Sequence, residues 1–227
     1  MNETLKRLIP RALRPACREL VFQRAMKRFL ADPMACARAG HPVLRDLVYG
    51  WGNEPSSAQD EYLAACIVET SAAKGPILEC GSGLSTLIVG EIARRRGLAH
   101  WALEHTTRWA ATVIARLERY GIDRTTLCVA PLRDHGDFAW YAPPLEKMPA
   151  SFALVVCDGP PGATRGGRYG LAPVVGDRLE PGCVLLLDDA GRDEERAIAK
   201  RWQEELGATI EVCGRAKPYI RMTCAAD

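Results

Sequence analysis

The chain has 227 residues, of which 48% are hydrophobic and 26% charged, with 30 Lys/Arg against 28 Asp/Glu. At this length one domain buries most of its unfolded surface without disulfides or metals, and the profile is that of a globular protein, which excludes disorder, collagen-like repeats and a disulfide mini-scaffold. The longest apolar runs, at residues 153–157 and 184–187, are strand-length, far below the roughly 20 residues of a membrane-spanning helix.

Charge is distributed unevenly. Residues 1–30 carry eight Lys/Arg and two Glu, leaving 22 basic against 26 acidic residues for the remainder. The acidic body therefore bears a basic N-terminal addition. Charges scattered through those 30 residues leave no uninterrupted apolar core for a signal peptide, so the expected location is the cytoplasm. The nine cysteines include no CxxC pair, and six of them (Cys80, Cys128, Cys157, Cys183, Cys213, Cys224) stand in or beside apolar runs. Such thiols read as small buried hydrophobes rather than zinc ligands.

Residues 1–55 read as helix broken at Pro10, Pro15 and Pro33. Leu20, Val21, Met26, Phe29 and Leu30 share one helical face, and Arg18, Gln23, Arg24, Lys27 and Arg28 lie opposite. Three readings of this helix stand open: a lid or homodimer element, a membrane-surface helix through residues 16–30, and a nucleic-acid contact disfavoured by the acidic body. The run 51–55 (WGNEP) reads as a turn, and residues 56–72 as a helix capped by Ser56 or Ser57.

From Gly75 the pattern becomes strand–helix alternation. Strands are expected at 76–80, 100–104, 125–129, 152–158 and 183–188, with helices at 84–96, 106–120, 170–179 and 192–206. Residues 208–213 and 219–224 read as a closing hairpin. Short, continuously apolar strands alternating with helices predict a doubly wound α/β domain over residues 56–227, its mostly parallel sheet covered on both faces.

The run ILECGSGLST (77–86) takes a strand through a glycine turn into a helix. Gly81 and Gly83 suit close backbone approach by a nucleotide-like ligand at the carboxyl ends of the strands, or simply a tight turn. Glu104 ends the second strand 21 residues after Gly83, a placement from which a carboxylate accepts from ribose hydroxyls. A dinucleotide, and with it an NAD(P)-dependent oxidoreductase, wants a third glycine where Thr86 stands, and would place its pyrophosphate near Glu79. S-adenosylmethionine carries a sulfonium and an ammonium instead, which acids suit. The charge logic favours it.

Residues 75–224 resemble class I S-adenosylmethionine-dependent methyltransferases. The resemblance rests on ILECGSGLST, the acid of WALEH, FALVVCDGPPG and PGCVLLLDDAGR, in that order. It implies a seven-stranded sheet with its last strand antiparallel, which matches the hairpin expected from the residues themselves. It further implies that Glu79, Gly81, Gly83 and Ser85 line the methionine portion, that Glu104 holds the ribose, and that adenine lies near His105 and residues 131–133, Leu132 among them. Asp158 would face the methionine or the acceptor. A non-catalytic cofactor-binding protein of the same fold is a further alternative.

Asp158, Asp188 and Asp189 also resemble the Mg²⁺ or Ca²⁺ ligands of catechol-type O-methyltransferases, although Asp189 stands where that family has Asn and GPPG replaces a Lys-bearing segment. Alternatively, the acids cap a helix and stiffen a turn. For catalysis the candidates are Asp158, Asp188 and the loop residue His135. Arg165 and Arg168, in the glycine-rich loop 162–170, either clamp an anionic acceptor or form a solvated surface. Tyr141, beside Trp140, is an acceptor wall or a core residue. The function expected is O-methylation of a small molecule or saccharide; Asp158-Gly159-Pro160-Pro161 lacks the aromatic of nucleic-acid N-methyltransferases.

Overall fold

The computed structural model describes residues 10–53 and 58–226. Nine strands are described: β1 (Ile77–Cys80), β2 (His100–Glu104), β3 (Thr125–Val129), β4 (Leu132–Asp134), β5 (Ala139–Tyr141), β6 (Phe152–Cys157), β7 (Leu179–Leu187), β8 (Thr209–Cys213) and β9 (Tyr219–Thr223). The helices are α1 (Arg14–Ala31), α2 (Pro42–Trp51), α3 (Asp60–Ala72), α4 (Leu84–Arg96), α5 (Thr107–Arg119), α6 (Leu171–Val175) and α7 (Asp193–Leu206), with four short 3-10 turns between them.

Seven strands form one sheet in the order β3-β2-β1-β6-β7-β9-β8. β3, β2, β1, β6 and β7 run parallel, and β9 enters antiparallel between β7 and β8. This is the expected doubly wound sheet with its reversed last strand. β4 and β5 pair as a separate antiparallel hairpin between the strands expected at 125–129 and 152–158, where no element was expected. At the start of β7 the register against β6 jumps from Phe152↔Leu179 to Leu154↔Val184. That bulge accommodates Pro181 and Gly182, so the strand begins four residues before Cys183, where its start was expected.

Strand alternation sorts the core into two layers. Ile77, Leu154, Val156 and Leu186 face α1–α4, whereas Leu78, Val155, Cys157, Leu185 and Leu187 face α6, α7 and the buried Trp140 and Trp202. Every cysteine is free, and Cys80, Cys157, Cys183 and Cys224 are buried as expected of apolar thiols.

The N-terminal helices share the first of these layers. Phe22, Ala25, Met26 and Phe29 of α1 are buried with Val43, Leu44 and Leu47 of α2 and with α3 and α4 in one cluster. Pro15 does not break α1; it lies in its first turn, where a missing N–H breaks no helical bond. At Gly50 an added Cβ would stand 2.8 Å from the Phe22 backbone, so the glycine permits α1 and α2 to touch. Glu19 fastens α1 to α5, accepting from Arg116 (Nη2, 2.7 Å) and Arg119 (Nη1, 2.6 Å). The polar side of α1 leaves Arg24, Lys27 and Arg28 exposed, together with Leu20. Proposed caps Ser56 and Ser57 fall outside the described residues; α3 starts at Asp60.

Candidate active site

A cavity of about 310 Å³ opens at the carboxyl ends of β1, β2, β6 and β7. Its floor is the glycine turn between β1 and α4. Gly81 is required by the protein itself: its φ is +88°, and a Cβ would lie 3.1 Å from the Gly159 nitrogen. Gly83 differs, because an added Cβ would meet nothing within 4 Å. The space beside it belongs to the cavity it lines. Thr86 Oγ1 accepts from the Gly83 N–H at 2.8 Å, so the chain caps its own helix start.

Glu104 lines the cavity from the end of β2. Its Oε2 accepts from Ser82 Oγ at 2.9 Å and its Oε1 from the Thr106 N–H at 2.8 Å, fixing the carboxylate at the rim. His105 Nδ1 lies 3.1 Å from Glu104 Oε1 but without hydrogen-bond geometry, leaving a buried ring nitrogen unpartnered. Trp109 Nε1 donates to the Ser82 carbonyl at 2.8 Å, and Trp51 of α2 meets Trp109 edge-on at 6.1 Å. Trp51 and Asn53 line the cavity, so the N-terminal addition supplies part of its wall. Tyr141 closes another side, its hydroxyl pushed well above the usual phenol range by burial.

The acids after β6 and β7 are bound to cations of the chain. Arg168 is 2% exposed and lies among them. Its Nη2 donates to Asp158 Oδ1 (2.9 Å), Asp189 Oδ2 (2.7 Å) and the Asp158 carbonyl (3.1 Å), and its Nη1 to the Asp188 carbonyl (2.7 Å). Lys217 Nζ donates to Asp188 Oδ2 at 2.6 Å and is ion-paired to Asp189 Oδ1 at 2.9 Å. Asp189 reaches both because its backbone is left-handed (φ 63°), a conformation Asp tolerates better than most residues. Glu195, on α7, stands 3.7 Å from Arg168 Nε.

Burial and charge act in opposite directions here. Burial lifts the Asp158 carboxyl to about 7 against the pull of Arg168, and lifts Asp188 against Lys217. For Asp189, Arg168 and Lys217 outweigh burial and hold it below the ordinary range. Burial disfavours the Lys217 ammonium, but Asp188 more than restores it.

The residues singled out from the sequence therefore divide. Gly81, Gly83, Ser85, Glu104, His105, Tyr141, Asp158, Arg168 and Asp189 line one cavity. Glu79 does not: it shares the strand face of Ile77, is 1% exposed, and accepts from Ser85 Oγ at 2.5 Å with His100 Nε2 at 3.1 Å. Asp188 is fully buried behind Asp189. His135 is exposed in the β4–β5 turn, stacked on Phe138 at 4.8 Å, and Arg165 pairs with Asp134 beside it. Leu132 sits across that hairpin from Tyr141 and packs on the core. Arg168 is no solvated loop residue, because the loop folds inward to bury it. Lys217, Trp51, Trp109 and Thr86 were missed. Lys217 stands in the turn of the expected closing hairpin, but nothing local in the sequence brings that turn to the acids.

No protein-family profile and no curated protein sequence matches the chain. Solved structures do. An S-adenosylhomocysteine-bound methyltransferase from Podospora anserina is similar at 17% identity and TM-score 0.57, covering 95% of this chain and 88% of that one. An O-methyltransferase from Bacillus cereus in complex with S-adenosylhomocysteine gives 15% identity and TM-score 0.52, over 96% and 93% of the two chains. A precorrin-6y C5,15-methyltransferase from Geobacter metallireducens gives 14% and 0.55, over 77% and 92%. The chain has the Rossmann-like fold of class I methyltransferases.

Proposed function

We propose that this chain is an S-adenosylmethionine-dependent methyltransferase acting at oxygen on a small molecule or saccharide. The observation that carries the cofactor choice is the start of α4. A dinucleotide pyrophosphate needs free backbone donors there, and Thr86 Oγ1 already occupies the Gly83 N–H. What the turn offers instead is open space at Gly83 and a fixed carboxylate at Glu104. Both suit an adenosyl group without phosphates.

The residues fit that cofactor in stated roles. Glu104 accepts from the ribose hydroxyls, Ser82 and Thr106 keep its carboxylate in place, and the His105 ring, in the cavity lining, flanks the base. When bound, S-adenosylmethionine supplies a sulfonium methyl group that an acceptor oxygen takes by in-line displacement, so most of the protein's work is positioning. Asp158, at the cavity wall, receives the proton the acceptor hydroxyl gives up. Trp51, Trp109 and Tyr141 provide aromatic surface against which a ring or sugar face packs. The preference for oxygen over nitrogen rests on that carboxylate.

Calorimetric titration with S-adenosylhomocysteine tests the reading, with NADH as the control. Micromolar or tighter binding of the first and none of the second is expected. NADH binding with no response to S-adenosylhomocysteine would replace the methyltransferase with an oxidoreductase.

A further inference from the structure

The three aspartates after β6 and β7 present ligand atoms within 4.8 Å of one another, the arrangement that suggests a divalent cation. We infer that this cluster takes no metal, because the chain has built its own cations, Arg168 and Lys217, into the positions between the carboxylates. Four of the six carboxylate oxygens already accept from a nitrogen, Asp158 Oδ1 and Asp189 Oδ2 from Arg168, Asp188 Oδ1 from the Asp189 N–H and Asp188 Oδ2 from Lys217, and a fifth, Asp189 Oδ1, is ion-paired to Lys217 at 2.9 Å. Arg168 Nη2 bridges Asp158 to Asp189, and Lys217 Nζ bridges Asp189 to Asp188. A Mg²⁺ or Ca²⁺ ion would need the same oxygens at shorter range and would stand against two positive charges.

Neither cation is free to withdraw. The Arg168 guanidinium donates to the carbonyls of both Asp158 and Asp188, so it is tied to the backbone at both strand ends as well as to the side chains. It also cannot lose its proton. Lys217 is carried by the β8–β9 turn, which Glu61 of α3 pins by accepting from the Arg215 and Ala216 N–H groups at 2.8 and 3.0 Å. The Pro218 carbonyl, next in the chain, accepts from the Ala190 N–H at 2.9 Å. Charge is already nearly balanced: Asp158, Asp188, Asp189 and Glu195 face Arg168, Lys217 and Arg192. At the cavity, the positive groups beside Asp158 and Asp189 are therefore the Arg168 guanidinium and the Lys217 ammonium, both of which line it. Resting on the methyltransferase reading, cofactor and acceptor are bound there without a metal.

The test is a Mn²⁺ titration followed by electron paramagnetic resonance, on the wild type, K217M and D189N, with S-adenosylhomocysteine calorimetry in EDTA and in Mg²⁺. The wild type is expected to take up no Mn²⁺ to about 1 mM, a range that would saturate ordinary oxygen-ligand sites. Its S-adenosylhomocysteine affinity should change less than about twofold between the two buffers. K217M frees Asp188 Oδ2 and Asp189 Oδ1 and should gain Mn²⁺ uptake; K217Q serves if K217M does not fold. Saturable uptake by the wild type that D189N abolishes would overturn the inference, as would a folded Lys217 variant that gains none. Loss of S-adenosylhomocysteine binding in both buffers would remove the methyltransferase reading, and the Mn²⁺ arm would still decide the cation assignment.

Discussion

Replacing Glu104 with Gln isolates one charge at the cavity rim. The amide is isosteric, its carbonyl can still accept from the Thr106 N–H, and the Ser82 hydroxyl can rotate to accept from the new NH₂. Folding should therefore be little affected. What disappears is a charged acceptor for the ribose, an interaction worth roughly 1.5–3 kcal/mol when lost. Both Glu104 oxygens already serve Ser82 and Thr106, at 2.9 and 2.8 Å, so a ribose hydroxyl would be each oxygen's second donor. That sharing places the loss at the lower end, about 1–2 kcal/mol, or a weakening of S-adenosylhomocysteine binding by roughly 5- to 30-fold. Calorimetry reads the affinity and a thermal melt checks the fold. An E104Q protein that melts like the wild type and binds with unchanged affinity would refute the ribose assignment.

The two glycines of the turn should separate folding from binding. G81A forces a side chain to φ +88° against the Gly159 backbone and should cost about 1–3 kcal/mol of stability in a denaturant titration. At Gly83 an added Cβ meets nothing, so G83V should melt near the wild-type temperature while losing S-adenosylhomocysteine binding by more than about tenfold, as its branched side chain fills ligand space. F22A, which empties a fully buried position, should cost about 3–5 kcal/mol in the same titration; a loss under about 1 kcal/mol would mean that α1 is not part of the main core. Glu19 is held down to about 2 from 4.5, chiefly by its hydrogen bond from Arg116. A depressed carboxylate stabilises the fold above pH 4.5 and loses that contribution as pH falls toward 2. Since Glu19 is partly exposed, about 1 kcal/mol is expected. Comparing acid titrations of the wild type and E19Q should show that pH-dependent increment only in the wild type.

Periodicity and turn residues made the parallel sheet legible, and the five parallel strands and four helices of the alternating region fall within a few residues of their expected places. The misplacements have local causes. β4 and β5 are three residues each, too short for alternation to register beside Pro143 and Pro144. Pro181 marks a bulge inside β7 rather than a turn before it. At the site, residues on the turn that links strand to helix could be read because their spacing is local. Glu79 was misjudged because alternation turns it with Ile77 toward α4, although it adjoins the glycines in sequence. Lys217 reaches Asp188 across 29 residues, and no local pattern records such a contact. For Arg168 the sequence left an acceptor clamp and a solvated loop residue both open, since composition describes a glycine-rich loop and not the direction in which it folds.

The placement of the tryptophans gives the protein an optical readout of its own. Trp140 and Trp202 are fully enclosed in the core, whereas Trp51 and Trp109 stand at the cavity, one from the N-terminal helices and one from the helix after β2. Trp109 is hydrogen-bonded to the glycine turn and meets Trp51 edge-on. Filling the cavity would change the polarity around these two indoles and leave the enclosed pair, with the half-buried Trp101 of β2, as an internal reference. Emission intensity and wavelength should therefore follow ligand occupancy without any label, so that a collection of candidate acceptors can be screened in solution before a product assay exists.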